Sequence, residues 1–412
     1  MKKRVFAALM AAAMTASLMA CGSSTAETTA ETETVNGLAV EETTEDAVDY
    51  SDVEAYDFGL NYEELVQSLP DYMGITLEVS DEYEVTDEAA NAYLQDMLAY
   101  YCYYYGLTNT VKVEGKTVVE ADDYVNVDYV GKVDGEAFDN GSATDQTISV
   151  AGNCDASGSG SFIDGFTDAL PGAEVGTTIV ADVTFPESYS NTDLAGVDAT
   201  FDFTINYICE LVTFDNIDDD FVADNYSTYL GVSTVAELRE SVDSALESTL
   251  ENAVCDAAEA YMAENAVVEV PDDYMQERMS MYQSMLEYLY CDGQTLEEYL
   301  GDEYDSYVEQ WNSSLLTSLT EEIAFGRVAE LEDILEVSDD DIDSYINNVL
   351  SYYSYYSSNY AAVPSTESDV YLMFGAGDAS KGKAYVEMSC MYSNALRYIA
   401  ENAEVVFTET EE

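Results

Sequence analysis

The sequence GSGSFIDGF at residues 158–166 combines two features that predict different folds. Its glycines and serines are typical of a flexible linker or of a loop that cradles phosphate, whereas Phe162, Ile163 and Phe166 are apolar groups that a folded domain would bury. A dinucleotide-binding G-x-G-x-x-G that began at Gly158 would need glycine where the chain has Ile163, and the stretch holds no Gly-Lys-Ser/Thr. We therefore do not expect this stretch to bind a nucleotide.

The segments on both sides of this stretch alternate apolar and polar residues between positions 122 and 211. YVNVDYVGKVDG and ATFDFTINYI follow a period of two, and VDGEAF and LPGAEVG supply turns between such runs. This pattern predicts an antiparallel sheet in a compact domain. Before the sheet, VTDEAANAYLQDMLAYYCYYYG is predicted as a helix that is capped by Thr86 and stopped by Gly106.

Beyond residue 214 the apolar spacing becomes helical. A capping box at residues 234–237 precedes an apolar face that recurs at every fourth residue from Leu238 to Leu250. Pro271 suits the first turn of another helix, and a second capping box lies at residues 295–298. The fold class is therefore predicted to be α+β, with long amphipathic helices after the sheet.

The N-terminal residues have the pattern of an export signal. Basic residues at positions 2–4 precede an apolar run at 5–16, which is too short to span a bilayer, and the run is followed by LMAC. LMAC resembles the lipobox of bacterial lipoproteins, in which the cysteine, here Cys21, is lipidated and becomes the new N-terminus. The following Thr, Glu, Ala and Ser residues have little to bury and are predicted to form a solvated tether. We expect an extracytoplasmic protein that a lipid at Cys21 anchors to a bacterial membrane.

Composition excludes several classes of function. The chain has 84 acidic and 12 basic residues, so its formal net charge of −72 argues against nucleic acid and the ribosome as partners. Without histidine, the chain has no Ser-His or Cys-His nucleophile and no HExxH zinc site. The acidic runs at 218–220 and 339–341 lack the spacing of a calcium loop. We expect neither a metal nor a cofactor, and the cysteines beyond Cys21 leave disulfides and free thiols open.

Three blocks of the sheet segment resemble the FKBP-type peptidyl-prolyl cis-trans isomerase domain as it occurs in the trigger factor family. They are VNVDYVGKVDGEAFDNG, GSGSFIDGFTDALPGAEVGTTIVADVTFPESY and LAGVDATFDFTINYI. Segments on both sides are similar to the same family, among them YMGITLEV, FDNIDDDFV, VEVPDDYMQERM, GQTLEEYL, LEVSDDDID and ALRYIAENAEV. The resemblance covers about residues 72–405 and implies an FKBP-like antiparallel sheet domain inserted beside a long-helix chaperone domain of the trigger factor type.

The resemblance also implies the residues of a site. A proline-binding pocket would be lined by Tyr129, Phe138, Phe162, Ile163, Phe166, Tyr189 and Phe203. The backbone N–H of Ile163 would donate a hydrogen bond to a substrate carbonyl, and Asp139 would lie in the polar position beside the pocket. Such a pocket needs no nucleophile, because binding a twisted amide better than a planar one lowers the barrier to rotation. The implied activity is isomerisation of prolyl peptides.

The chain departs from the family pattern at three places. Gln146 stands where the family usually has an aromatic or apolar wall residue, and NCDAS at residues 153–157 looks inserted before the glycine-serine stretch. Either departure is expected to weaken catalysis or to alter which residues flank the proline. The signal and the tether take the place of the family's ribosome-binding domain, so no role at the ribosome is expected.

These observations predict five segments and one favoured function. The segments are a lipoprotein signal (1–20), an acidic disordered tether (21–55), a linker and helix (56–115), an isomerase domain (116–212) and a helical chaperone domain (213–412). The favoured function is a membrane-anchored isomerase and chaperone for unfolded or proline-containing exported polypeptides. The alternatives are a holdase without isomerase activity, and an acidic surface lipoprotein that binds a specific partner through tyrosine-rich helices around SYYSYYSSNY.

Overall fold

The computed structural model describes residue 50 and residues 52–409. The predicted signal, Cys21 and the tether as far as residue 49 lie outside the described residues. The chain divides into two compact units. The sheet unit is Glu84–Glu247, and the helical unit combines the residues up to Tyr83 with those from Ser248 onward. The predicted isomerase domain, 116–212, falls inside the sheet unit.

The secondary structure mixes helices and strands. The helices are α1 (Tyr62–Leu65), α2 (Asp87–Tyr105), α3 (Asp219–Leu230), α4 (Val235–Asn265), α5 (Asp272–Tyr290), α6 (Leu296–Leu300), α7 (Tyr304–Leu331), α8 (Asp339–Tyr355), α9 (Glu367–Phe374) and α10 (Ala379–Glu401). The strands are β1 (Val66–Ser68), β2 (Thr76–Ser80), β3 (Thr110–Lys112), β4 (Tyr124–Val133), β5 (Glu136–Ser149), β6 (Cys154–Asp155), β7 (Thr178–Thr184), β8 (Asp198–Leu211), β9 (Val267–Val268) and β10 (Glu404–Thr408).

The sheet unit is built on one antiparallel sheet. Its strand order is β3-β8-β4-β5-β6, and β7 pairs with β8. Along β8 the buried residues alternate with more exposed ones, so that Phe201, Phe203 and Ile205 face the core. The register places Phe203 opposite Tyr129 of β4 and opposite Ile179 of β7. The period of two and the antiparallel sheet that it predicted are confirmed.

Helices cover a second core within the sheet unit. Thr86 caps α2 by accepting a hydrogen bond from the Ala89 N–H, and Gly106 ends the helix with a φ of 69°, as its sequence predicted. Ala90, Leu94 and Leu98 form the buried face of α2, at the spacing of a helical stripe. They pack with residues of α3 and of the first turns of α4, namely Val222, Tyr226, Leu238 and Val242.

The helical unit contains α1, the remaining part of α4 and the helices α5 to α10. Its largest apolar cluster gathers residues of α5, α8, α9 and α10 around Trp311 of α7. The unit also contains two short two-stranded sheets, in which β2 pairs in parallel with β10 and β1 pairs antiparallel with β9. The predicted capping box at Thr295 is confirmed, whereas Pro271 is the residue directly before α5 and not part of its first turn. None of the helices in the described chain is long and apolar enough to cross a membrane.

The state of the cysteines, which composition left open, is visible in the structure. In the described part of the chain every cysteine is a free thiol, with four buried and two half-buried. The four are Cys209, Cys255, Cys291 and Cys390, and the two are Cys102 and Cys154. The described residues also contain no cluster of Cys, Asp or Glu arranged to hold a metal ion.

Candidate active site

The centre of the site is a group of aromatic rings above the middle of the sheet. Tyr129 projects from β4, and its ring centroid lies 5.3 Å from that of Phe166 and 5.8 Å from that of Phe203. Phe166 lies 4.9 Å from Phe203 and stacks on Phe162 at 4.4 Å. Four of the predicted wall residues are therefore in one cluster, because the register of β4 and β8 brings two of them under the loop that carries the others.

Phe138 and Tyr189 join this cluster through two residues that the sequence analysis did not select. Phe138 makes edge contacts with Phe185 and Phe201, at 5.9 Å in both cases. Tyr189 contacts Phe185 at 4.7 Å, and Phe201 contacts Phe166 at 4.8 Å. The signal for Phe201 was present in the sequence, because it lies two residues before Phe203 and a period of two puts both side chains on one face.

The side chains of the ring cluster differ in burial, which distinguishes the floor of the pocket from its walls. Phe203 and Phe166 are 0% and 3% exposed, so their rings form the floor, and Phe201 and Phe185 are buried beside them. The half-buried residues are Tyr129, Phe138, Phe162, Ile163 and Tyr189, which leaves part of each side chain for contact with a ligand. Asp139 is exposed at the rim. An apolar concave surface of this kind fits a proline ring, which has no side-chain donor.

Two glycines that the sequence analysis did not select hold the Phe138 ring. A methyl group added at Gly131 would lie 2.6 Å from Phe138 Cζ, and one added at Gly141 would lie at the same distance. Gly131 is in β4 and Gly141 is in β5, so the ring lies against the backbones of both strands. Only a residue without a Cβ permits this close approach.

Two hydrogen-bond donors at the site are open to a ligand. The N–H of Ile163 has no hydrogen-bond partner among the residues that the structure describes, although its carbonyl accepts from the Phe166 N–H at 3.1 Å. The hydroxyl of Tyr129 also has no partner in the described chain, and burial raises the pKa of this phenol, so it remains a donor at neutral pH. A substrate carbonyl placed over Phe166 could accept from either group.

The loop that carries the Ile163 N–H belongs to a short hairpin. Asn153 O accepts from the Phe162 N–H at 2.8 Å, and the Asp155 N–H donates to Gly160 O at 3.3 Å. Gly158 lies at the turn with a φ of 73°, a value that glycine adopts without strain. The glycines at the start of GSGSFIDGF therefore form a turn, and the NCDAS segment, which contains β6, is the first arm of the hairpin.

Gln146 does not enter the cluster of rings. Its side chain is exposed, and its amide nitrogen donates to Thr144 O at 3.3 Å. None of the ring contacts within this cluster of described residues involves position 146. The arrangement as a whole can bind an apolar ring, donate to a carbonyl and exclude water, and it contains no group placed for nucleophilic attack.

Comparison with known proteins agrees with this geometry. The family model for FKBP-type peptidyl-prolyl cis-trans isomerase matches residues 115–208, which include every residue of the pocket. The model for the bacterial trigger factor protein C-terminus matches residues 234–363. Trigger factor of Bacillus pumilus is 31% identical over 73% of this chain and 68% of its own length. Trigger factor of Halothermothrix orenii is 32% identical over 68% of this chain, and the chain spans 62% of that relative's length.

A solved structure described as "Promiscuous Substrate Recognition in Folding and Assembly Activities of the Trigger Factor Chaperone" aligns with 81% of this chain and 72% of that chain. Its sequence identity is 12% and its TM-score is 0.30, so it supports no conclusion about this chain. The family assignment depends on the sequence relatives and the two family models. The chain belongs to the trigger factor family, with an FKBP-type peptidyl-prolyl cis-trans isomerase domain followed by a helical region of the trigger factor C-terminal type.

Proposed function

We propose that this protein is a peptidyl-prolyl cis-trans isomerase and folding chaperone that acts on exported polypeptides outside the cytoplasm. The observation that carries the catalytic part is the half-buried ring cluster with an open N–H at Ile163. Rotation about a prolyl peptide bond crosses a barrier of about 18 to 20 kcal/mol, which arises from amide resonance. The twisted amide is less polar than the planar one, so an apolar pocket binds it better and lowers the barrier.

The chaperone part of the proposal is supported by the helical unit and by the relatives, which are named trigger factor. Linking a surface that holds an unfolded chain to the pocket raises the local concentration of prolyl bonds near the ring cluster. Unfolded or proline-containing polypeptides are the proposed clients. The net charge of −72 is the reason to place these clients away from ribosomal RNA.

Anchoring to a membrane through Cys21 is the part of the proposal supported by sequence alone. The lipobox LMAC and the acidic tether are the supporting features. Metabolic labelling with a fatty acid tests it, because Cys21→Ala should lose the label and release the protein from the membrane fraction. Retention of the variant in that fraction would contradict the anchor.

Catalysis is tested on the chain from Gly22 onward. A proline tetrapeptide should relax from cis to trans faster with the wild type than without it. Phe162→Ala removes one half-buried wall and should lower kcat/KM by about tenfold, a loss of about 1.4 kcal/mol. Tyr229→Ala is the control, because Tyr229 is an exposed tyrosine of α3 outside the ring cluster. A wild type without effect on the relaxation rate would leave the non-catalytic holdase as the function.

The surface-lipoprotein alternative loses part of its basis. It depended on the tyrosines of SYYSYYSSNY, of which Tyr353 is buried and Tyr352 and Tyr360 pack against the same helical core. Tyr355 and Tyr356 remain exposed. Three of the five tyrosines in this run therefore belong to the core of the helical unit.

A further inference from the structure

Asn153 makes an unusual set of contacts with the loop that bears the Ile163 N–H. Its side-chain nitrogen Nδ2 donates to Phe162 O at 3.1 Å and to Ile163 O at 3.2 Å. Its backbone carbonyl accepts from the Phe162 N–H at 2.8 Å. One residue therefore uses its side-chain amide and its own carbonyl to hold three successive peptide groups.

The Asn153 side chain is itself held from the other side. The Thr167 hydroxyl shares its one hydrogen between two acceptors, Asn153 Oδ1 at 3.2 Å and Val150 O at 3.1 Å. Thr167 is 3% exposed, so this contact lies in the interior. Asn153 has a φ of 47°, in the left-handed region that asparagine enters more readily than most other residues. Both the side chain and the backbone conformation of this position favour asparagine.

These contacts determine the direction of the open donor. Phe162 C=O and Ile163 N–H belong to the same peptide group, which is planar and trans, so they point in opposite directions. A hydrogen bond from Asn153 to the carbonyl end therefore fixes where the N–H end points. It also polarises the peptide group, because hydrogen bonds in a chain strengthen one another.

The rest of the inserted segment is fastened at several places. The Ala156 N–H donates to Thr147 O at 3.1 Å, and the buried Asn109 side chain donates to Ala156 O at 2.5 Å. Asp155 Oδ1 accepts from the Ser157 N–H at 2.9 Å, and the backbones of Cys154 and Ser161 form an isolated antiparallel β-bridge across the hairpin. The insertion is therefore a fixed support and not a loose loop.

We propose that Asn153 is a positioning residue of the isomerase, which aims the Ile163 N–H at the substrate carbonyl. The inference rests on the proposed isomerase function. It reverses the expectation that the NCDAS segment weakens catalysis, because the segment supplies the group that orients the donor. Asn153 itself does not touch the substrate.

The experiment compares Asn153→Asp with the wild type in the full chain. Aspartate keeps the acceptor oxygen and the size of the side chain, but its carboxylate has no hydrogen to donate and faces two carbonyl oxygens. At pH 7.5 kcat/KM for a proline tetrapeptide should fall about tenfold. At pH 5.5 part of the loss should be recovered, because the introduced carboxyl group can be protonated and then donate one hydrogen bond, whereas the wild type should change by less than twofold.

Further variants separate positioning from folding. Thr167→Val removes the hydroxyl that holds Asn153 Oδ1 and should lower kcat/KM about threefold. Ser159→Ala, at the exposed turn of the same hairpin, should stay within twofold of the wild type. If Asn153→Asp fails to fold, Asn153→Gly replaces it, because glycine accepts the positive φ and lacks the side chain. A value of kcat/KM within twofold of the wild type for the folded variant would overturn the inference.

A spectroscopic measurement distinguishes failure of this inference from failure of the proposed function. In an NMR spectrum of the ¹⁵N-labelled protein, Asn153→Asp should shift the Ile163 amide resonance, while resonances of α2 and α3 stay in place. A wild type without isomerase activity would contradict the proposed function. An Ile163 resonance that does not shift in Asn153→Asp would contradict the positioning role. A shifted resonance together with a lowered kcat/KM supports that role, and a shift in an inactive protein shows only that Asn153 orients the Ile163 N–H.

Discussion

A methyl group at Gly141 should displace the Phe138 ring from the pocket wall. The added Cβ of Gly141→Ala would lie 2.6 Å from Phe138 Cζ, whereas ordinary contacts of a Cβ lie at 3.4 to 4 Å. The ring must therefore move by about 1 Å, and overpacking of this kind costs about 1 to 3 kcal/mol of unfolding free energy. A displacement of about 1 Å at a binding wall can cost up to about a hundredfold in rate.

The assay for this prediction combines peptide kinetics with thermal unfolding. We expect kcat/KM to fall by about tenfold to a hundredfold and the Tm to fall by about 2 to 4 °C for each kcal/mol lost. Gly172→Ala is the matched control, because a Cβ there has nothing within 4 Å and only the φ of 88° is unfavourable. It should lower the Tm without lowering kcat/KM.

A double variant tests the cause directly. Phe138→Leu shortens the side chain that meets the new methyl group, so Gly141→Ala with Phe138→Leu should lose less stability than the sum of the two single changes. Strict additivity of the unfolding free energies would refute the clash with Phe138. A wild-type kcat/KM in Gly141→Ala would refute the role of that ring as a wall.

Two further predictions concern the helical unit. Arg278 and Glu322 form an ion pair at 2.8 Å, with side chains 7% and 12% exposed. Arg278→Met alone should therefore lower the unfolding free energy by about 3 to 5 kcal/mol, whereas Arg278→Met with Glu322→Leu should recover most of that loss. Chemical denaturation measures both variants, and equal losses in the single and the double variant would contradict the pairing. Burial, with a smaller contribution from Glu259, raises the pKa of Glu321 to about 7. Since the folded state then holds this proton more tightly than the unfolded state, the contribution of Glu321 to stability is lost as the pH rises from about 4.5 to 7. Glu321→Gln should remove that part of the pH dependence, and an unchanged denaturation profile would show that the carboxyl group does not titrate in this range.

The fold was predictable where local pattern and packing agree. The period of two in β8, the caps of α2 at Thr86 and Gly106 and the capping box at Thr295 are all present as predicted. Each of these depends on residues close together in the chain, so the sequence alone carries the information.

The site was predictable only in part. The wall residues came from the family resemblance, and the structure brings Tyr129, Phe162, Phe166 and Phe203 together. Phe185 and Gly141 were not selected, because their importance depends on where the Phe138 ring lies in the folded domain. Gly141 is three residues from Phe138 in the same strand, whereas Phe185 directly follows β7 and no short motif relates it to Phe138.

The sequence by itself determined the α+β class, the order of sheet and helices, the family and the absence of any histidine chemistry, since these follow from periodicity, composition and motifs. Only the tertiary structure shows which groups the inserted NCDAS segment contacts. Its residues carry no pattern that indicates a partner, and the contacts of Asn153 depend on two carbonyl oxygens that the hairpin brings within 3.2 Å. Hydrogen bonds between side chains and a folded backbone depend on distance and angle, and those are set by the packing of the whole unit.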